Sequence, residues 1–178
     1  MFLYKFIRTP KTIGSVTPSS RFLTGKMIDS IPWNEVQSVA ELGAGTGVVT
    51  RAIEQAVQPG TQVLIFERDP HLRHPLKQRH KDFSVHSDAC SLYSKMQEQG
   101  LDGLDCVISG LPFANFPQKI RDDIMEQIVK SLKPGGLFVA FQYSLQMRNQ
   151  LKSYFDIETI QFVLLNVPPA FVYVCRKK

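Results

Sequence analysis

The sequence predicts an open α/β fold: a seven-strand, mostly parallel sheet with helices on both faces and an antiparallel last strand. Three observations predict it. Short apolar runs of strand length alternate with longer helix-like segments, the order expected of βαβ units. The turn Glu41-Leu42-Gly43-Ala44-Gly45-Thr46-Gly47 joins the first such run to a helix and carries three glycines within five residues, which permits positive φ and close backbone approach. Acids then recur at the ends of successive strands, where an open α/β sheet binds its ligands.

The 178 residues suffice for one domain with a sizeable core. An apolar content of 43% and a charged content of 21% are ordinary for a globular chain. The formal charge of +5 favours anionic partners, either nucleic acid or an anionic membrane surface. Cys90, Cys106 and Cys175 are scattered and form no C-x-x-C, so neither a disulfide frame nor a zinc site is expected, and a cytoplasmic location fits. The apolar runs fall short of the roughly 20 residues of a spanning helix, and there is no signal-peptide core.

In chain order, residues 1–8 place Phe2, Leu3, Phe6 and Ile7 on one helical face, with Lys5, Arg8 and Lys11 beside it. Such a helix can lie in a membrane interface or pack as a lid on its own domain. Thr9-Pro10 ends it. Gly14 to Ser20 is a loop of small hydroxyl residues. Ser19 or Ser20 can cap a helix over 21–30, and with Arg21 these hydroxyls can hold a phosphate at the mouth of a pocket.

Val36 to Leu42 reads as the first strand, Val48 to Val57 as a helix, and Val63 to Phe66 as a buried strand ending at Glu67. Arg68 to Pro75 reads as a solvated, histidine-containing helix whose interior Pro75 disturbs, and no metal is expected there. Phe83 to His86 is the third strand and leads to Asp88-Ala89. Leu104 to Ser109 is the fourth and runs into Gly110-Leu111-Pro112-Phe113. Pro117 to Leu132 is an amphipathic helix with Ile120, Ile124, Ile128 and Leu132 at four-residue steps. Lys133 to Gly136 reads as a turn, Leu137 to Phe141 as the fifth strand, and 144–153 as a helix. Tyr154 to Leu165 and Ala170 to Cys175 form a closing antiparallel pair about the rigid Pro168-Pro169. Arg176-Lys177-Lys178 reads as a basic, frayed tail.

The glycine turn is E-x-G-x-G-x-G rather than the G-x-G-x-x-G of dinucleotide sites, since Val48 stands three residues after Gly45. Glu67 follows Gly47 at the offset of about 20 residues where a carboxylate meets ribose hydroxyls. This arrangement resembles the Rossmann-like class I S-adenosylmethionine-dependent methyltransferases. The resemblance implies a cofactor site of Glu41, Gly43, Ala44, Gly45, Gly47, Glu67, Arg68, Asp88, Ala89 and Ser109, with S-adenosylhomocysteine as product and no metal. In amino-methylating members an Asn/Asp-Pro-Pro-Tyr or Asn-Leu-Pro-Tyr stretch follows the fourth strand. Gly110, Leu111, Pro112 and Phe113 take its place here, so the resemblance implies that their carbonyls orient the acceptor nitrogen and the Phe113 ring walls the site.

Three stretches narrow the family: Phe2 to Arg21, Ile108 to Pro117, and Asn166-Val167-Pro168-Pro169-Ala170-Phe171-Val172-Tyr173. Together they resemble bacterial phospholipid N-methyltransferases, which methylate phosphatidylethanolamine at a membrane. The resemblance implies residues 1–30 as an amphipathic helix, loop and lid helix, residues 31–178 as the methyltransferase domain, and one domain overall. It also implies a phospholipid substrate held by Ser19, Ser20 and Arg21, and a peripheral place on the inner face of the membrane. Ser20 to Leu23 also resembles rRNA adenine dimethyltransferases. Their Asn in the fourth motif and their C-terminal RNA-binding domain have no counterpart here, so RNA is the second reading, with a small soluble amine as a further alternative acceptor. A non-enzymatic cofactor- or membrane-binding module is the third class and is set aside because the cofactor motifs are intact. No protein partner is implied.

Overall fold

A computed structural model describes residues 19–178. The expected N-terminal helix, with Phe2, Leu3, Phe6, Ile7 and the cations Lys5, Arg8 and Lys11, lies outside the described residues, as does the loop before Ser19. The described chain opens with helix α1 (Arg21–Ile28). Strand β1 (Ser38–Leu42), α2 (Val48–Ala56), β2 (Gln62–Phe66), α3 (Pro70–Arg79) and β3 (Ser84–His86) follow in strict alternation. Then come α4 (Leu92–Glu98), β4 (Leu104–Ser109), α5 (Gln118–Ser131), β5 (Leu132–Gln142), α6 (Arg148–Tyr154), β6 (Phe155–Val163) and β7 (Ala170–Lys177).

The seven strands form one sheet in the order β3-β2-β1-β4-β5-β7-β6. All pairings are parallel except those of β7, which runs antiparallel to both β5 and β6. The chain moves outward from β1 through β2 to β3, then returns to place β4 on the other side of β1. That reversal opens a crevice beyond the C-terminal ends of β1 and β4, the expected ligand position in such a sheet.

β1 is buried along its whole length, as a central strand covered on both faces should be. On one face Leu23 and Met27 of α1, Val49 and Ile53 of α2, and Leu76 of α3 pack on Val39, Ile65 and Ile108. On the other, Leu92 and Met96 of α4, Ile124, Met125 and Ile128 of α5, and Leu151 of α6 pack on Leu42, Phe66 and Phe138. Helices therefore cover both faces.

The structure differs from the sequence reading in four places. Helix α4 was not foreseen: it has seven residues and buries only Leu92 and Met96, too few to make a periodic signal. Strand β5 begins at Leu132 and takes in Lys133 to Gly136, with a register shift opposite Leu104 to Cys106. The segment pairs, but it does so through a bulge whose glycine, Gly135, has φ of 74°. Helix α3 runs through Pro75, which lacks only the bond to the carbonyl of exposed His71. Lastly, Arg176 and Lys177 are strand residues rather than a frayed tail. Lys177 donates to the carbonyls of Val129 and Leu132 at 2.6 Å each, and Arg176 donates to Gly135 O at 2.7 Å.

At the N-terminal ends of the strands Asp105 clamps β1 to β4. It accepts from the backbone N–H groups of Gln37 and Ser38, both at 2.9 Å, and pairs with Lys133 Nζ at 2.6 Å. Burial pushes its carboxyl up, but Lys133 and the two N–H groups outweigh that and hold it below the usual range. Asp105→Ala leaves both N–H groups without their partner. It is expected to cost about 1–3 kcal/mol in urea melts at pH 7. A depressed carboxyl stabilises the fold above its unfolded value of 3.8 and stops doing so as pH falls through the folded one. The cost should therefore shrink in acid, and a variant as stable as the parent at pH 7 would remove the clamp.

Candidate active site

The crevice floor is the glycine turn between β1 and α2. Gly43, Gly45 and Gly47 have φ of 78°, 57° and 83°. Gly43 N and Ala44 N donate to Phe66 O at 2.8 and 3.2 Å, tying the turn to the end of β2. At two of these glycines even a methyl would collide. A Cβ on Gly43 would lie 2.8 Å from Leu111 Cδ2, and one on Gly47 would lie 2.6 Å from Leu76 Cδ2. At Gly45 the position a Cβ would take has nothing within 4 Å. The turn is thus packed at its two ends and open in the middle, which leaves room for a ligand over Gly45.

Two acids support this floor. Glu67 is 9% exposed. Its Oε2 accepts from Gly45 N at 2.7 Å and its Oε1 from Asp69 N at 2.8 Å. An ionised carboxylate has about four acceptor positions, so the two bonds leave lone pairs for hydroxyls of a ligand. Glu41 is 2% exposed and accepts from Thr50 Oγ1 at 2.6 Å. Burial pushes its carboxyl from 4.5 up to about 7; the Thr50 bond opposes this and the nearby Glu67 charge adds to it. Asp88 is exposed and caps the short turn Ala89–Ser91 through Cys90 N at 3.0 Å. Arg68 is exposed beside Glu67, Ala89 is half-buried in the capped turn, and Ser109 is fully buried under the crevice. Every residue assigned to the cofactor from the sequence lies at the same end of the sheet, and the open turn with the spare Glu67 lone pairs suits a ribose-bearing cofactor.

The stretch after β4 is less open. Gly110 N donates to Leu42 O at 2.9 Å, and a Cβ on Gly110 would meet Gly43 O at 3.0 Å. A side chain there would press on that carbonyl, which fits glycine at this position. The Leu111 carbonyl already accepts from Phe113 N at 2.9 Å and from Gln142 Nε2 at 2.8 Å, so both its lone pairs are engaged. The Gly110 carbonyl receives no bond among the described residues. Pro112 is exposed. Phe113 is 1% exposed and packs edge-on against Phe116 and Phe138, so its ring faces the core rather than the crevice.

Ser20 is the cap of α1, its Oγ accepting from Leu23 N at 3.1 Å, while Ser19 is half-buried beside it. Arg21 is exposed, with its guanidinium 4.8 Å from the Phe22 ring centroid. Sequence reasoning gave no individual role to three residues that fix this site. Asn166 is 3% exposed, accepts from Ser20 N at 2.9 Å and donates to Pro168 O at 2.7 Å, so it fastens α1 to the β6–β7 connection. Gln142 reaches Leu111, and Thr50 reaches Glu41. The signal for Gln142 was a polar residue ending an apolar strand, and that for Asn166 an amide two residues before Pro168-Pro169. Among the described residues no three His, Cys, Asp or Glu side chains gather as a metal would require.

Residues 39–136 match the family described as "Methyltransferase domain". Over 181 aligned residues the chain is 34% identical to an ornithine lipid N-methyltransferase of Singulisphaera acidiphila, covering 99% of this chain and 94% of that protein. A ribosomal RNA small subunit methyltransferase A of Chlamydia felis is 36% identical over 76 residues, 42% of this chain and 25% of that protein. Among solved structures, the N-methyltransferase NodS of Bradyrhizobium japonicum with bound S-adenosylhomocysteine gives a TM-score of 0.71 at 12% identity, covering 89% of this chain and 88% of that one. An O-methyltransferase of Bacillus cereus gives 0.70 at 10% identity, covering 89% and 82%. Likenesses of that low identity speak for the fold.

Two outcomes are expected. Glu67→Gln keeps the size of the side chain but removes its charge, and charge-assisted bonds contribute about 1.5–3 kcal/mol. Calorimetry should show S-adenosylmethionine binding roughly ten-fold weaker or more, and an unchanged affinity in the folded variant would take Glu67 out of the site. Glu41 gives a pH signature. A carboxyl raised from 4.5 to about 7 favours the fold fully below 4.5 and loses that contribution as pH rises to about 7. The ligand-free protein should lose roughly 3 kcal/mol across that window, and Glu41→Gln should flatten the profile. A parent profile without that fall would remove Glu41 as a buried, strained acid.

Proposed function

The chain belongs to the methyltransferase-domain family and is an S-adenosylmethionine-dependent N-methyltransferase, and from that premise we propose that its acceptor is the primary amine of a membrane lipid head group. The observation that carries this reading is the end-to-end likeness to a lipid N-methyltransferase, against an RNA-enzyme likeness confined to 42% of the chain. The ethanolamine head group of a phospholipid is the first candidate and an ornithine head group the second. Both place an alkyl amine near an anion, phosphate in one case and carboxylate in the other. Arg21 is suited to either, because a guanidinium fork fits both.

When bound, S-adenosylmethionine supplies a methyl group already activated on a sulfonium. The chain's own residues then have three tasks. The Gly43–Gly47 turn, Glu67 and Asp88 hold the cofactor at the ends of β1, β2 and β3, with Glu41 beneath the turn. Ser19, Ser20 and Arg21 receive the head-group anion at the mouth, on the helix that Asn166 fastens. The Gly110 carbonyl accepts an N–H of the acceptor amine and aims its lone pair, a kind of alignment that can supply about 7–11 kcal/mol of a barrier.

An alkyl ammonium has a pKa near 10.4 in water, so the acceptor must lose a proton before it can attack. Partial burial in the crevice lowers that value. With glycine at position 110 no side-chain base stands in this stretch, and the proton leaves to solvent.

The test offers labelled donor to three pools in parallel: vesicles holding phosphatidylethanolamine, vesicles holding ornithine lipid, and unmodified rRNA. Methyl groups are expected on a lipid nitrogen. Label on adenine of the RNA, with none on either lipid, would overturn the proposal and leave the RNA reading in its place.

A further inference from the structure

All seven large hydrophobic side chains that stand exposed among the described residues lie at one end of the sheet. Leu164, Leu165 and Val167 form the β6–β7 connection and are 68%, 61% and 78% exposed. Phe162 is the penultimate residue of β6, while Tyr143 and Leu145 follow shortly after β5. Phe22 lies in the first turn of α1, which the Ser20–Asn166 bond fastens to this same connection. Asn166 also sits beside the Tyr143 hydroxyl. This apolar rim therefore borders the mouth at which Gln142 and Leu111 meet.

The charged residues within its own segments are of one sign. The segments that build the rim, 19–24, 143–148 and 162–169, contain Arg21 and Arg148 and no carboxylate. Arg21 lies over Phe22, and Arg148 is exposed three residues after the exposed Leu145, its backbone N–H turned back to the Leu145 carbonyl at 3.0 Å. The acids of β6, Asp156 and Glu158, are at its other end, where they oppose Arg176 on β7. A protein partner would have to cover apolar tips with no acid among them to fix its register. An anionic bilayer complements both features, since its interior takes the tips and its head groups take the cations.

We infer that the β6–β7 connection is a membrane-inserting tip: Leu164, Leu165 and Val167 enter the apolar margin of an anionic leaflet while Arg21 and Arg148 pair with its lipid anions. This rests on the proposal that the acceptor is a membrane lipid. A lipid delivered head first into the crevice requires the rim of the mouth to face the leaflet, and this rim is the apolar one.

The full chain tests it. With vesicles rich in phosphatidylglycerol, Leu164→Ser/Leu165→Ser should partition roughly ten-fold more weakly or worse, because each leucine withdrawn from water counts for more than one such factor. Leu164→Ile/Leu165→Ile should bind like the parent. Arg148→Gln should bind more weakly and show a shallower salt dependence. Trp33 is the single tryptophan, so in a Trp33→Phe background the emission of Leu165→Trp should be quenched by brominated acyl chains. Methyl transfer to a short-chain lipid dispersed as monomers should stay within about two-fold in the serine variant, since the tip acts on docking and not on the crevice.

A serine variant that sediments like the parent, or a tryptophan that is not quenched, overturns the tip. So does loss of vesicle binding only when residues 1–18 are removed. If sedimentation velocity shows a dimer that the serine variant abolishes, the rim is an interface between two copies and the inference fails. Absence of methyl transfer to lipid in any form by the parent would instead sink the acceptor proposal. The sedimentation and quenching arms judge the tip independently of that result.

Discussion

The site depends on how closely the turns after β1 and β4 approach at the reversal of the strand order. A Cβ on Gly110 would lie 3.0 Å from the Gly43 carbonyl oxygen, and one on Gly43 would lie 3.4 Å from the Leu111 backbone nitrogen and 2.8 Å from its side chain. This contact lets β1 and β4 deliver their C-terminal turns to one point. A Cβ at Gly110 would press on the Gly43 carbonyl, and one at Gly43 or Gly47 would strain a positive φ. The opening over Gly45 lies in the middle of the same turn.

The same closeness sets the electrostatics. Glu67 can reach Gly45 N only because the turn folds back toward the end of β2, where Phe66 O holds Gly43 N. Glu41 is carried inward by its place in the fully buried β1, and its one side-chain partner among the described residues is Thr50 on the first turn of α2. Two carboxylates are thus held near each other in a poorly solvated place, one well satisfied and the other pushed up to about 7. Such a pair is costly without a cation and suited to one. The cofactor proposed for this crevice carries a sulfonium, a charge of the sign that such a pair favours.

Much of this was legible in the sequence, and the reasons differ by element. The seven strands were readable because most are continuous apolar runs, as buried parallel strands are, and the glycine spacing marked the strand-to-helix turn. The acids at Glu41, Glu67 and Asp88 were readable because strand ends in an α/β sheet share one edge. What the sequence hid was tertiary. Phe113 looks like an aromatic wall by position, yet its ring turns into the core against Phe116 and Phe138, because the chain there winds into a short helical turn, Phe113–Asn115. Helix α4 was too short to show a period. Asn166 and Gln142 act across long stretches of chain, and no local pattern announces a bond from residue 20 to residue 166.

The orientation of Phe113 and the engaged Leu111 carbonyl together narrow how the acceptor can be held. Of the carbonyls the sequence offered in this stretch, that of Gly110 alone accepts no bond among the described residues and is the one proposed to take an amine N–H, and a single carbonyl fixes direction poorly. On the proposed reading, the rest of the alignment comes from the far end of the acceptor, through the head-group anion at Arg21 and the apolar body beyond it. Arg21 stands on a helix whose first turn is pinned by Asn166 to the β6–β7 connection. The connection proposed to meet the membrane is therefore joined through Asn166 to the helix that carries Arg21. On the proposed reading, an acceptor held by its chains in the leaflet presents its amine at a fixed depth. A soluble amine would lack that anchor and have one carbonyl to orient it, which is why the lipid is the acceptor proposed ahead of a small amine.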